Sequence, residues 1–299
     1  MIALDVNNYK EEIVSISVAA EKEHGLKMDL EKLENDWRRI IFPVEHEEKV
    51  DSYILKDLEE IYTALDESLA LINSVLGSRY VKPLREPAEQ WKKNIMTLSD
   101  IVDQWIQCQK NWMYLENIYV RSADIKKAMV EETRRFEKVD AFFKQLMQNT
   151  NKQPNCLKIV KQSMIQKPTL LQKLIHNNEE LDYVQKRLED YMETKRKAFP
   201  RFYFLSNDEL IDILANSQNM DKVQGHLKTC FDNIVSVELQ DEEIKGMNSG
   251  EKEYVPFRKI VKARGQIELW MDQLQQEMIS TLTYEMKKGL QDYEKLVSE

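Results

Sequence analysis

Four histidines, three cysteines and 52 carboxylates are the groups in this 299-residue chain from which catalysis or metal binding would have to be assembled. Their spacing argues against both. His24, His46, His176 and His226 are scattered, no HExxH occurs, and no Cys/His pair has the spacing of a zinc site. His46 lies among Glu45, Glu47 and Glu48, a set able to catch a cation, but such a run also suits a solvated turn, which is the expectation here. Cys108, Cys156 and Cys230 are odd in number and far apart, so they give neither a disulfide framework nor a CxxC motif, and a reducing cytosol suits them. A phosphate loop needs G-x-x-x-x-G-K-[ST]; the nearest run, Gly246-Met247-Asn248-Ser249-Gly250-Glu251-Lys252, has the wrong spacing and sits between strand candidates. No GxSxG or cysteine-nucleophile signature is present, and so many carboxylates single out no acid/base pair. The reading is of no catalytic, cofactor or metal residues and no enzyme activity in this segment.

Size and composition set the frame. The chain is long enough for one large domain or two ordinary ones. Only 7 Gly and 7 Pro accompany 32% charged residues, the bias of long helices rather than of sheets with their many turns. The N-terminal MIALDVNNYKEEIV lacks the basic and apolar blocks of a signal peptide, and no stretch nears the roughly 18 apolar residues of a membrane span. The net charge of −9 argues against nucleic acid, whose binding depends on Lys and Arg displacing counterions. That charge is uneven: residues 1–120 carry 14 basic and 23 acidic side chains, 121–197 carry 17 and 11, and 198–299 carry 12 and 18. The basic middle third is either a set of solvated helix faces or a surface for an acidic partner.

Apolar periodicity supplies the helices. Val50, Ile54, Leu58, Ile61, Leu65, Leu69, Ile72 and Leu76 recur at about 3.67 residues per turn, which predicts one straight rod of about 40 Å stopped by Gly77-Ser78. A second helix opens at Pro87 and runs to about Tyr119, with Trp91, Trp105 and Trp112 on one packing stripe. Ser122 caps a third, carrying Phe136, Val139, Phe143 and Leu146, before a turn at 149–155. After Pro168 another helix runs to Lys195-Arg196-Lys197, three cations that complement the carbonyl end of its dipole.

There the pattern changes. Phe199 precedes Pro200 and is pushed out of the helical region. Phe202 and Phe204 alternate with Arg201 and Tyr203, the period of a short extended segment. Ser206 then begins a capping box with Glu209, flanked by the hydrophobic staple Leu205 and Leu210. The seven residues Phe199, Pro200, Arg201, Phe202, Tyr203, Phe204 and Leu205 thus form a crossing between two helices. It acts as an aromatic plug, as a hinge, or as both. Beyond it, 208–215 and 221–231 read as short helices, while 234–240 and 253–257 read as the strands of one hairpin with a long irregular loop at 241–252. A helix closes the sequence from about Lys262. The fold class expected is mainly α: an elongated multi-helix bundle rod with one small β-hairpin near the C-terminal third.

Several blocks in order, QWIQCQKNWMYLENIY (104–119), FEKVD (136–140), YMETKRKAFPRFYFLSNDELIDIL (191–214), VQGHLKTCFDNI (223–234) and GMNSGE (246–251), resemble the linker region of dynein heavy chains. The similarity is strong from roughly Lys56 onward and looser before it, and the blocks read closer to axonemal than to cytoplasmic members. Met129-Val130 departs from the Leu-Pro common in the family, which leaves the helix boundary there open. The resemblance implies a single dynein-type linker domain over 1–299, with N-terminal helical subdomains at 1–198 and a C-terminal subdomain at 199–299. It implies a mechanical role, in which the bending of this element carries the ATP-driven change of an AAA+ ring, outside this segment, to the tail for microtubule-based movement. The implied partners are that ring in cis and the tail with its associated chains, with the microtubule reached only through the parent motor and no direct contact with nucleic acid or membrane. The implied setting is the cytoplasm, in the axoneme of a cilium or flagellum. Within this reading the polar loop projecting from the rod, through Glu243, Lys245, Met247, Asn248, Glu251 and Lys252, is the candidate ring contact. The alternative is a free-standing helical scaffold or tether that binds other helical proteins.

Overall fold

The computed structural model describes residues 9–120, 122–217 and 219–298. The chain is mainly helical, as the composition requires, with ten α-helices and five short strands among the described residues. Its internal contacts define two compact units: Met1–Tyr114 with Glu137–Asp182, and Leu115–Phe136 with Tyr183–Glu299.

The first unit begins with α1 (Lys10–Trp37), a hairpin of β1 (Val44–Glu47) and β2 (Ser52–Leu55), and α2 (Glu59–Gly77). It also takes most of α3 (Arg85–Tyr119), the later part of α5 (Val130–Lys152), α6 (Cys156–Ile165) and the start of α7 (Leu170–Ala198). The hairpin corrects the single rod expected from Val50 onward. Val50 and Ile54 are buried, but in a turn and a strand; the chain reverses at Asp51 (φ 46°), then breaks again at Asp57 (φ 52°) before α2 starts. Hairpin residues facing a core happened to fall four apart and so imitated a helical stripe. His46 consequently sits on β1 rather than in a turn, edge-on to Tyr53.

Tryptophans organise this core. Trp37, Trp105 and Trp112 are almost wholly buried, so two of the three on the α3 stripe are packing groups; Trp91 is only partly covered. Trp112 stacks on Phe143 at 4.3 Å and donates its indole N–H to Asp140 at 2.9 Å, while Phe42 lies 5.2 Å from Trp105. Aromatic pairs of this kind add about 1 kcal/mol each beyond the area they bury. The Gln109 side-chain amide both accepts from Leu55 N–H and donates to Leu55 C=O at 2.8 Å, so it pairs with β2 as another strand would.

The second unit holds the end of α3, α4 (Ala123–Ala128), the start of α5 and the end of α7. It continues through a 3-10 helix (Pro200–Phe204), α8 (Asn207–Ala215), α9 (Met220–Cys230), strands β3 (Ile234–Gln240), β4 (Glu243–Ser249) and β5 (Tyr254–Lys262), and α10 (Ile267–Ser298). Ser122 caps α4 by accepting from Ile125 N–H, and the helix breaks at Met129 (φ −127°, ψ 62°) although no proline follows. The turn expected at 149–155 is shorter than its sequence suggested, because α5 continues to Lys152 and Asn155 already caps α6.

The sheet differs most from expectation. It has three antiparallel strands in the order β3-β4-β5, and the segment read as an irregular loop supplies the central strand. Gly246, a residue that ordinarily punctuates loops, sits in mid-strand because the Tyr254 ring covers it; a Cβ there would meet the ring at 2.5 Å. α10 packs along β5, and its Glu277 and Thr281 side chains accept from the backbone N–H groups of Lys259 and Arg258, which occupies part of an otherwise open sheet edge.

Candidate mechanical junction

Residues 199–205 lie in the second unit, and the structure gives them a 3-10 rather than an extended path. The helix before them ends at Ala198, and Phe199 is extended (φ −132°, ψ 95°), as its position before Pro200 dictates. Period three then replaces the period two expected: Phe199, Phe202 and Leu205 are buried, whereas Tyr203 and Phe204 are 53% and 67% exposed. The two periods share Phe202, and Pro200 at the first position favours the tighter turn by fixing φ and removing a donor with no partner to find. Phe199 and Phe202 meet edge to face at 4.9 Å, with Phe231 6.2 Å from Phe199. The crossing is therefore an aromatic plug, in line with one of the two compatible readings.

Two arginines close it. A 3-10 turn leaves carbonyls without α-helical partners. Arg196, in the last turn of α7, donates to Phe202 C=O (3.4 Å), Leu205 C=O (3.1 Å) and the Asn207 side chain (3.0 Å). Arg201 donates to Cys230 C=O at the end of α9 (2.9 Å) and to Gln275 Oε1 on α10 (2.7 Å), with its guanidinium 5.0 Å over the Phe231 ring. On the outer side Tyr203 donates its hydroxyl to Glu193 (2.7 Å), a bond that raises the phenol pKa. The capping box is formed in full: Ser206 Oγ accepts from Glu209 N–H, and Glu209 accepts from Ser206 N–H at 2.9 Å. Those bonds hold the Glu209 carboxyl below the usual range. Leu205 and Leu210 are buried, as a staple demands.

A buried ion pair joins α7 to α10. Lys195 Nζ lies 2.5 Å from Glu268 Oε1, with the two side chains 13% and 6% exposed. Lys195 also sits 5.2 Å from the Tyr191 ring centre. Burial pushes the Tyr191 hydroxyl up while the ammonium pulls it back. Glu268 Oε2 is buried without a hydrogen-bond partner, as is Trp270 Nε1 two residues along α10.

The six hairpin residues separate into three kinds. Met247 is 2% exposed and belongs to the core. Glu243, Lys245 and Asn248 are half-buried on β4, where Asn248 donates to Ser236 Oγ (3.2 Å) and Lys245 bonds Gln240. Only Glu251 and Lys252, in the β4–β5 turn, are exposed. Sequence reasoning missed Gln275, Cys230 and Phe231, which no local signal ties to the junction, and treated Arg196 only as a helix-end charge.

Side-chain bonds thus tie this turn to α7, α9 and α10. The one cysteine at the junction, Cys230, has its pKa raised to about 11 by burial and stays a thiol at neutral pH. Among the described residues no three His, Cys, Asp or Glu groups are placed to hold a metal ion, and no helix is long and apolar enough to cross a membrane.

Comparison with known proteins gives consistent matches. The family described as dynein heavy chain, N-terminal region 2, matches residues 1–289. The chain is 35% identical over 312 residues to human dynein axonemal heavy chain 6, covering 97% of this chain and 7% of that protein. It is 36% identical over 300 residues to human dynein axonemal heavy chain 3, covering 99% and 7%. It is 32% identical over 301 residues to the ciliary dynein beta chain of Heliocidaris crassispina, covering 98% and 7%. The chain thus spans about 7% of the length of these relatives.

Proposed function

The chain belongs to the dynein heavy chain family, and from that premise we propose that it is the mechanical linker of a motor heavy chain in an axoneme. In this role it takes up the ATP-driven movement of an AAA+ ring in the same polypeptide and delivers it to the tail and its associated chains. The microtubule is engaged through the parent motor, and the chemistry of ATP belongs to the ring. The observation that carries the reading is the family match over nearly the whole chain, joined to a non-helical turn between two helices that is held by arginine side chains.

A lever must hold its shape under load yet change direction at a defined place. Residues 199–205 suit that place: one non-helical turn between two well-capped helices, held by the side chains of Arg196 and Arg201 and not by a continuous helical hydrogen-bond ladder. Six side chain–to–backbone or side chain–to–side chain bonds can exchange partners in a turn where a helix would have to break. We assign the start of the C-terminal subdomain to this turn, and the ring contact to Glu251 and Lys252, the exposed members of the six hairpin residues.

The test is made in a parent heavy chain carrying Arg196→Ala with Arg201→Ala. Microtubule gliding slows severalfold while ATP turnover continues near its usual rate, because the engine is intact and the lever is slack. Unchanged gliding, or an equal fall in both rates, would count against the role.

A further inference from the structure

No aspartate or glutamate occurs between Asp140 and Glu179, a stretch that contains six lysines, in a chain whose net charge is −9. Lys144 pairs with Asp140 at 3.0 Å. Lys152, Lys158, Lys161, Lys167 and Lys173 have no ion-pair partner among the described residues, and all but the half-buried Lys173 are exposed. Random placement of surface charge would put opposite signs together on helices, as happens elsewhere in this chain at Lys27 with Glu31 and Arg85 with Glu89.

Three of these lysines, Lys152, Lys158 and Lys173, line concavities. The end of α5, α6 and the start of α7 enclose a cleft of about 480 Å³, and a second of about 620 Å³ adjoins it, the two sharing Lys152 and Gln153. Lys173 lines the first, Lys158 and Arg38 the second, and neither is lined by a carboxylate. Arg38 is engaged by Glu34 at 2.8 Å, which leaves the three lysines as the available cations. The floor of the first cleft is apolar, through Leu146, Ile159 and Leu170, and its walls carry the amides of Asn149, Gln153 and Gln166. Both clefts lie within the first unit.

We propose that this lysine-lined groove is a docking site for an extended, carboxylate-rich polypeptide segment. Three features select a peptide over other polyanions. The wall amides can donate N–H groups to the carbonyls of an extended backbone, the oxygens of Asn149 and Gln153 already accepting from Gln145 and Gln162. The apolar floor accepts a side chain between successive carboxylates. Specific readout of nucleic acid would instead call for free arginines and exposed aromatic faces; the groove's one arginine, Arg38, is engaged by Glu34, the stretch 141–178 contains no tryptophan, and its two phenylalanines are half-buried or buried.

The test uses the 299-residue chain and a fluorescein-labelled peptide of repeating Glu-Gly, followed by fluorescence anisotropy at low and physiological salt. Binding saturates at low salt and weakens as salt rises. Lys152→Glu, Lys158→Glu and Lys173→Glu together weaken it by roughly tenfold or more, since each exposed pair contributes a factor of roughly two to five. Lys10→Glu with Lys22→Glu on α1, a change of bulk charge alone, leaves it within about twofold. If the triple glutamate variant melts early, the triple glutamine variant replaces it and shows a smaller loss in the same direction. Absence of saturable binding, an equal loss in the α1 variant, or tighter binding of an oligo(dT) of the same charge would each overturn the proposal.

Discussion

Replacing Lys195 by methionine tests whether the α7–α10 ion pair is held by burial. Glu268 is 6% exposed, and one of its oxygens has no other partner, so removing the ammonium 2.5 Å from Oε1 leaves a carboxylate with neither solvent nor a counter-charge. Breaking one side of such a pair costs about 3–5 kcal/mol, far above the ~0–1 kcal/mol of an exposed surface bridge. Glu268→Leu should cost less, about 1–3 kcal/mol, because the Lys195 stem can carry its ammonium back over the Tyr191 ring toward solvent. The double variant Lys195→Met/Glu268→Leu should lie close to the parent, since apolar replacement of a whole buried pair is often neutral or better. Positions at the two helix ends add to the pair: the cation is in the last turn of α7 and the anion in the first turn of α10. Urea unfolding followed by tryptophan fluorescence and circular dichroism gives the four corners of the cycle, with the slope m compared across variants to check that one transition is being measured. A loss below about 1 kcal/mol for Lys195→Met, or a coupling energy indistinguishable from zero, would refute the claim that this pair is desolvated and structural.

Two further outcomes follow from local geometry. The β3–β4 connection places Asp241 (φ 48°) and Glu242 (φ 65°) in the left-handed region without glycine, so Glu242→Gly should raise stability by about 0.5–1 kcal/mol, read as a higher urea midpoint; a lower midpoint would contradict the turn geometry. Burial raises the thiols of Cys108 and Cys156 to about 12 and Cys230 to about 11, against roughly 8.5 in an unfolded chain. The folded state therefore holds these protons longer, and stability falls as pH rises above the unfolded value toward the folded ones. Iodoacetamide at pH near 8.5 should label none of the three in the folded chain and all three in urea, and rapid labelling of the native chain would contradict the packing.

Much of the helical frame was legible because its signals are local. The end of α7 and start of α8 were set by Pro200, Ser206 and Glu209, whose effects need only neighbours. The tryptophan stripe of α3 identified a packing face for the same reason. Misreadings arose where a long-range contact overrode a local pattern. Val50 and Ile54 fitted a helical period while folding as a hairpin tied to Gln109, a residue 54 positions along from Leu55. The run 241–252 has the composition of an irregular loop, yet β4 forms within it, with the Tyr254 ring filling the space above Gly246. At the junction the aromatic types were evident, but Phe204 was expected inside and is exposed, because a turn of period three buries Phe202 and Leu205 instead. The bonds from Arg201 to Cys230 and Gln275 span 29 and 74 positions, and no sequence spacing announces them.

The central claim, that residues 199–205 are where a stiff element changes direction, is tested most directly by amide hydrogen exchange of that turn in a parent motor held in its ATP-bound and nucleotide-free states. The amides of Phe202 and Leu205, which donate to Phe199 and Phe202 within the turn, are the reporters. The account predicts that their protection differs between the two states by roughly tenfold or more while the mid-helix amides of α7 stay constant. Equal protection at the turn in both states, with the change appearing elsewhere along the chain, would contradict it.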